Sequence, residues 1–162
     1  MTTVGVITFP GTNCDHDVIE LAKRKFNANV KELWHADTSV NGCDLIFVPG
    51  GFAYGDYLRT GALAKLSPIM KPLIDFANKG GNVIGICNGF QILCEAGLLP
   101  GVLLQNIGMK FLSRFVHVKV ENTNTPLTKE TSKGIVIPMP IAHFEGNYFI
   151  DKDKLKELED ND

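Results

Sequence analysis

Val83-Ile84-Gly85-Ile86-Cys87-Asn88-Gly89-Phe90-Gln91-Ile92-Leu93 is the stretch whose reading decides the fold. An apolar, β-branched run enters G-x-C-x-G and continues into a helical pattern, the cysteine counterpart of the G-x-S-x-G nucleophile elbow. Gly85 and Gly89 bracket the turn, where side chains would collide as strand meets helix. Such an elbow pushes the Cys87 sulfur out of the sheet, and the positive end of the following helix favours a thiolate there. The backbone amide of Asn88 is then placed to donate to a developing oxyanion.

Upstream, strand and helix patterns alternate. Residues 4–9 read as a buried strand stopped by Pro10-Gly11. Residues 15–25 read as a helix with Val18, Ile19, Leu21, Ala22 and Phe26 on one side. Residues 30–34 and 45–48 read as strands, the latter stopped by Pro49-Gly50-Gly51. Residues 67–78 read as a helix closed by Lys79-Gly80-Gly81, and residues 90–96 as a helix ended by Gly97. Strands apolar along their whole length, separated by helices, predict a flavodoxin-like open parallel sheet covered on both faces. In such sheets the ligand site lies beyond the carboxyl ends of the strands. Three loops should converge there: Pro10 to Cys14, Pro49 to Phe52, and Cys87 to Gly89. Gly51 is a candidate for the second oxyanion amide, because a Gly-Gly turn presents an N–H without steric obstruction. After residue 110 the rhythm changes. Residues 115–120 and 134–138 read as a small antiparallel excursion, and residues 151–159 as a short surface helix.

With 162 residues, a single domain over 1–162 is expected. A net charge of −2 offers no electrostatic reason to bind nucleic acid or an anionic membrane. Residues 1–7 lack the pattern of a signal peptide, so a cytoplasmic location is expected. Cys14, Cys43, Cys87 and Cys94 then read as free thiols, with Cys14, Cys43 and Cys94 expected to be small buried or half-buried side chains. Their spacings include no C-x2-C pair and give no support to a metal site. The chain contains no G-x-x-x-x-G-K-[ST] phosphate loop. His35 and His117 sit in apolar strand contexts as structural histidines, and His16 is expected to be exposed.

Beyond the elbow, several blocks occur in order: Phe9-Pro10-Gly11-Thr12-Asn13-Cys14-Asp15; Trp34-His35; Pro49-Gly50-Gly51-Phe52-Ala53-Tyr54-Gly55-Asp56-Tyr57-Leu58-Arg59; Cys87-Asn88-Gly89-Phe90-Gln91; and Ala142-His143-Phe144-Glu145-Gly146. Together they resemble the class I glutamine amidotransferases, and among them the glutaminase subunits of phosphoribosylformylglycinamidine synthase.

That resemblance implies a reaction in two halves. This chain would release ammonia from glutamine through a Cys87 thioester, with Gly51 and Asn88 forming the oxyanion hole and Phe52 and Gln91 lining the glutamine pocket. A larger synthetase subunit would bind ATP and magnesium and convert formylglycinamide ribonucleotide to the amidine in purine biosynthesis, with room for a small accessory subunit. No cofactor is implied in this chain. Residues 54–59 would shape the pocket rim or meet the synthetase. The family pattern also carries a later Pro-His-Pro-Glu motif supplying the base and its orienting carboxylate, which these residues do not contain. The expectation is therefore a C-terminally incomplete domain with impaired glutaminase activity. A competing expectation is an inactive amidotransferase-like domain that binds the synthetase subunit or glutamine. His143 and Glu145 copy the spacing of the missing pair, either as a substitute dyad or as part of a structural loop.

Overall fold

The computed structural model describes residues 1–160; positions 161 and 162, the last two of the expected domain, lie outside the described residues. The chain divides into two compact units, Met1–Val102 and a second beginning at Leu103.

In the first unit, β1 (Thr3–Thr8), α1 (Asp15–Phe26), β2 (Asn29–Trp34), β3 (Leu45–Val48), α2 (Met70–Asn78), β4 (Asn82–Gly85) and α3 (Asn88–Glu95) follow one another. The four strands form one sheet in the order β2-β1-β3-β4. Every pairing in it is parallel, with Val4 opposite Val30 and Leu45, and Ile46 opposite Val83. Chain direction from β1 thus goes outward first to β2 and then, on the other side, to β3 and β4. That reversal makes the carboxyl ends of β1 and β3 the place where a crevice opens.

Alternate side chains of β1 and β3 feed two cores. On one face Val4 and Val6 pack with Val18, Ile19 and Ala22 of α1. On the other, Ile7, Ile46 and Val48 pack with Met70 and Leu73 of α2 and Ile92 and Leu93 of α3. Helices therefore cover both faces, as the uninterrupted apolar strands predict. Each fully buried aliphatic side chain here contributes about 1.5–3 kcal/mol.

Several expectations are corrected. β2 is not apolar throughout: only Leu33 is buried, because this strand is the sheet edge, where Lys31 and Glu32 stay in water. Leu21 and Phe26 of α1 are exposed, so its packed face is narrower than the sequence suggests. The expected helix start at Ser67 is displaced to Met70. Ser67 precedes Pro68 and is extended (φ −67°, ψ 144°), since the proline ring disfavours a helical conformation in the residue before it. The helix after the elbow begins at Asn88 rather than Phe90, with Gly89 inside its first turn.

The second unit holds β6 (Leu112–Lys119) and β7 (Val136–His143), paired antiparallel with Phe115 opposite Pro140 and His117 opposite Pro138. The excursion is thus present, but β7 runs further than expected. Pro138 and Pro140, two apart, fall on one edge of a two-stranded ribbon, where no N–H is needed for the ladder. His117 is exposed on β6, not a packed structural histidine. A second small sheet pairs β5 (Val102–Leu104) with β8 (Asn147–Phe149), neither of which the sequence reading found. α4 (Lys152–Asp160) closes the described chain and buries no residue. No helix among the described residues is long and apolar enough to cross a membrane.

Leu73→Ala should destabilise the protein by about 2–5 kcal/mol, since Leu73 is fully buried and leaves a cavity. Leu58→Ala, at a side chain 87% exposed, should change stability by less than about 0.5 kcal/mol. Urea unfolding of the two variants checks the contrast.

Candidate active site

The loops after β1, β3 and β4 meet at the carboxyl edge of the sheet. The loop after β1 closes on itself, Thr12 N donating to Phe9 O at 3.0 Å and Phe9 N to Thr12 Oγ1 at 3.0 Å. It is laced to the loop after β3: Cys14 N donates to Gly50 O at 3.2 Å, Phe52 N to Gly11 O at 2.9 Å, and Tyr54 N to Pro10 O at 2.6 Å. Thr12 and Gly51 form an isolated antiparallel bridge. Gly51 has φ +145°, a region closed to ordinary side chains, and a Cβ there would lie 2.7 Å from Asn13 N.

The elbow joins this pair through Ile86 N, which donates to Val48 O at 3.0 Å. Cys87 itself takes φ 53°, ψ −109°, a strained conformation for a residue with a side chain. Strain of this kind costs about 1–3 kcal/mol and persists only where the surroundings over-determine it. Here they do. Gly89 N donates to Ile86 O at 2.8 Å and Gln91 N to Cys87 O at 3.2 Å. A Cβ at Gly89 would overlap the Val48 carbonyl. The result is an exposed thiol at the N-terminus of α3. The amide of Asn88 lies in the first turn of that helix, where no carbonyl four residues back is available to it.

The Asn88 side chain does something the sequence reading missed. It is 2% exposed and fully engaged: Oδ1 accepts from Ala53 N at 3.0 Å, while Nδ2 donates to Asp56 Oδ1 at 3.2 Å and Gln91 Oε1 at 3.1 Å. It therefore ties the elbow to residues 53–56. That segment and the residues just after it are unusual, with Tyr54, Asp56 and Leu58 all at positive φ (55°, 54° and 70°). Tyr54 is pinned at its hydroxyl, 2.8 Å from His35 Nδ1 and 2.9 Å from Ser67 Oγ. Arg59 holds the far side, its Nε 2.5 Å and Nη2 2.8 Å from the two oxygens of Glu95 on α3. The Arg59 hydrogen bonds, aided by Lys65, keep the Glu95 carboxyl below its ordinary pKa against the opposing effect of burial. Gln91 apart, three residues after Asn88, these partners lie 13 to 36 residues apart, and no local spacing in the sequence signals them.

Of the other anticipated residues, Phe52 is 53% exposed beside Gly51, and Gln91 is 7% exposed on α3. His143 and Glu145 belong to the second unit. His143 Nδ1 lies 3.0 Å from Asn106 Oδ1, which also accepts from Gly146 N at 3.0 Å. A Cβ at Gly146 would collide with the His143 ring. His16 is exposed on α1, as expected. Cys43 and Cys94 are buried, and burial pushes the Cys94 thiol up to about 11. Cys14, expected to be buried or half-buried, is exposed. Among the described residues no group of three or more His, Cys, Asp or Glu side chains is placed to hold a metal ion.

Comparison with known proteins bears on this arrangement. The family described as CobB/CobQ-like glutamine amidotransferase domain matches residues 1–162. The subunit PurQ of phosphoribosylformylglycinamidine synthase from Salinibacter ruber is 49% identical over 98% of this chain and 67% of its own length. The corresponding Synechocystis subunit is 50% identical over 100% of this chain and 72% of its own. A chain in the structure of PurLQS from Thermotoga maritima superposes with a TM-score of 0.86 at 41% identity, covering 94% of this chain and 71% of that one.

Two outcomes follow from the hydrogen bonding. Asn88→Asp turns donors into acceptors facing Asp56 and Gln91, and should cost about 3–5 kcal/mol in urea unfolding, as for other unpaired buried charges. Glu95→Gln should cost about 1–2 kcal/mol near neutral pH, less than a wholly buried pair because Arg59 is half open to water. The folded carboxyl has the lower pKa, so its contribution is fully present above the unfolded value of ~4.3 and lost as pH falls through the folded one. The gap between wild type and Glu95→Gln should therefore close on acidification.

Proposed function

The chain belongs to the PurQ subunits of phosphoribosylformylglycinamidine synthase, within the CobB/CobQ-like glutamine amidotransferase family, and on that premise we propose that it releases ammonia from glutamine at Cys87. The observation that carries this reading is the exposed thiol held at a left-handed φ on a strand-to-helix elbow.

In this scheme the Cys87 sulfur attacks the side-chain carbonyl carbon of glutamine. The carbonyl oxygen becomes an oxyanion and takes hydrogen bonds from the backbone amides of Gly51 and Asn88. The carbon–nitrogen bond then breaks, ammonia leaves with the proton given up by the thiol, and water hydrolyses the thioester to glutamate. Phe52, exposed next to Gly51, and Gln91, one turn after Cys87, line the glutamine pocket. Asn88 thus serves twice: its amide faces the oxyanion and its side chain fixes the 53–56 segment beside it.

The ammonia passes to a larger synthetase subunit, which binds ATP and magnesium and forms formylglycinamidine ribonucleotide from formylglycinamide ribonucleotide. The names of the relatives and the PurLQS neighbour support that partnership. A small accessory subunit fits the same assembly. The glutaminase half needs no cofactor of its own, because thiol, amides and water suffice. Residues 1–162 act as one amidotransferase domain, supported by a family match over that whole span, and we read the protein as cytoplasmic, in keeping with a purine-pathway role. His143 and Glu145 we read as structural, since the His143 ring is already engaged by Asn106 and packed on Gly146.

A glutamine-mimicking chloroketone should alkylate Cys87, and Cys87→Ser should abolish the label. Free glutamine should slow the labelling of the wild type. Labelling spread over Cys14 and Cys87 alike, without protection by glutamine, would overturn the assignment. His143→Ala should leave the labelling rate of Cys87 within about twofold, whereas a substitute base would drop it by roughly 10²-fold or more. Mass spectrometry of the labelled peptides reads both.

A further inference from the structure

Only two of the four thiols are exposed, Cys14 and Cys87, and the fold brings them together. Gly50 serves as a ruler. A Cβ built on it would lie 3.4 Å from Cys87 Cβ and 3.5 Å from Cys14 Sγ. The Cys14 sulfur is therefore within about 7 Å of Cys87 Cβ, a gap that turns of the two side chains and a small shift of the loop can close to disulfide geometry. No side chain at Gly50 stands between the two thiols. Cys14 N is anchored to Gly50 O at 3.2 Å, which keeps the exposed residue next to the elbow. The other two cysteines are excluded by burial, which raises both thiols, Cys94 to about 11.

We propose that Cys14 is a resolving thiol, which captures an oxidised Cys87 as an intramolecular disulfide and so switches the elbow off reversibly. The oxidant is a hydroperoxide. Its terminal oxygen passes to the Cys87 sulfur, the O–O bond breaks, water or an alcohol leaves, and a sulfenic acid remains. Cys14 then attacks that sulfur. The S–S bond forms, the S–O bond breaks, and water departs carrying the Cys14 proton. The two thiols lose two electrons in all and the peroxide gains them. A dithiol reductant reverses the change by exchange.

Partial burial, then Asp17, Cys87 and Asp15, raise the Cys14 thiol, which disfavours Cys14 as the sulfur that meets the peroxide first and suits it to the second, resolving step. With Cys87 in the disulfide, a second oxygen cannot add, and the irreversible sulfinic acid is avoided. The proposal needs only the placement of the two thiols, not glutamine as substrate, so it fails or stands separately from the glutaminase reading.

The full chain is treated with hydrogen peroxide, blocked with iodoacetamide and mapped without reduction. The expected result is a Cys14 peptide joined to a Cys87 peptide, located by fragment spectra. Wild type should regain its chloroketone labelling after dithiothreitol, while Cys14→Ser, driven to sulfinic acid, should regain roughly tenfold less. Cys14→Ala serves as a second variant, and the linked wild-type peptide stands without either. Sulfinic acid forming on Cys87 equally fast in wild type and Cys14→Ser, or Cys87 pairing with a second copy of the chain, overturns the proposal.

Discussion

Between the Val48 carbonyl and the Cα of Gly89 there is no space for a methyl group. This close approach sets the first turn of α3 directly on the carboxyl end of β3. It forces Cys87, two residues earlier, into a left-handed conformation that projects its sulfur from the sheet. The bonds Ile86 N to Val48 O and Gly89 N to Ile86 O close the turn around it. The site rests on that contact, since without it neither the thiol nor the Asn88 amide has a fixed direction.

Strain at one residue is sustained by order in its neighbours. The segment after Gly51 carries three further non-glycine residues at positive φ, and each is next to an anchor. Tyr54 hangs on His35 and Ser67, Asp56 on Asn88, and the Leu58 region on the Arg59–Glu95 pair. α3 contributes to two of these anchors, through Asn88 at its start and Glu95 at its end. One helix thus holds the Cys87 thiol at its start, presents the Asn88 amide in its first turn and braces the 53–59 loop.

The elbow, the alternation of strands and helices and the convergence of three loops were legible because each rests on local chemistry. G-x-C-x-G after an apolar run has few other uses, and glycine at a strand end marks a tight approach. The antiparallel ribbon was legible in kind but not in extent, because Pro138 and Pro140 read as breakers unless the strand is known to be an edge. β5 and β8, three residues each, were too short to leave a periodic trace. β2 misled for the opposite reason: its position at the edge, invisible in its own residues, decides that Lys31 and Glu32 meet water.

The sequence by itself determined the class of chemistry, the cysteine elbow and the order of the pieces, because those depend on residue type and on neighbours a few positions away. Only the tertiary structure decided that Cys14 is open to solvent beside Cys87, that the Asn88 side chain is a buried hub, and that His143 is engaged by Asn106. The local Asn88–Gln91 bond aside, those facts join residues 32 to 73 positions apart in the chain. Burial and proximity at such separations are properties of packing, set by how the sheet and its helices close on one another, and no run of adjacent residues contains them. The elbow could therefore be found by reading, but what surrounds it had to be folded to be known.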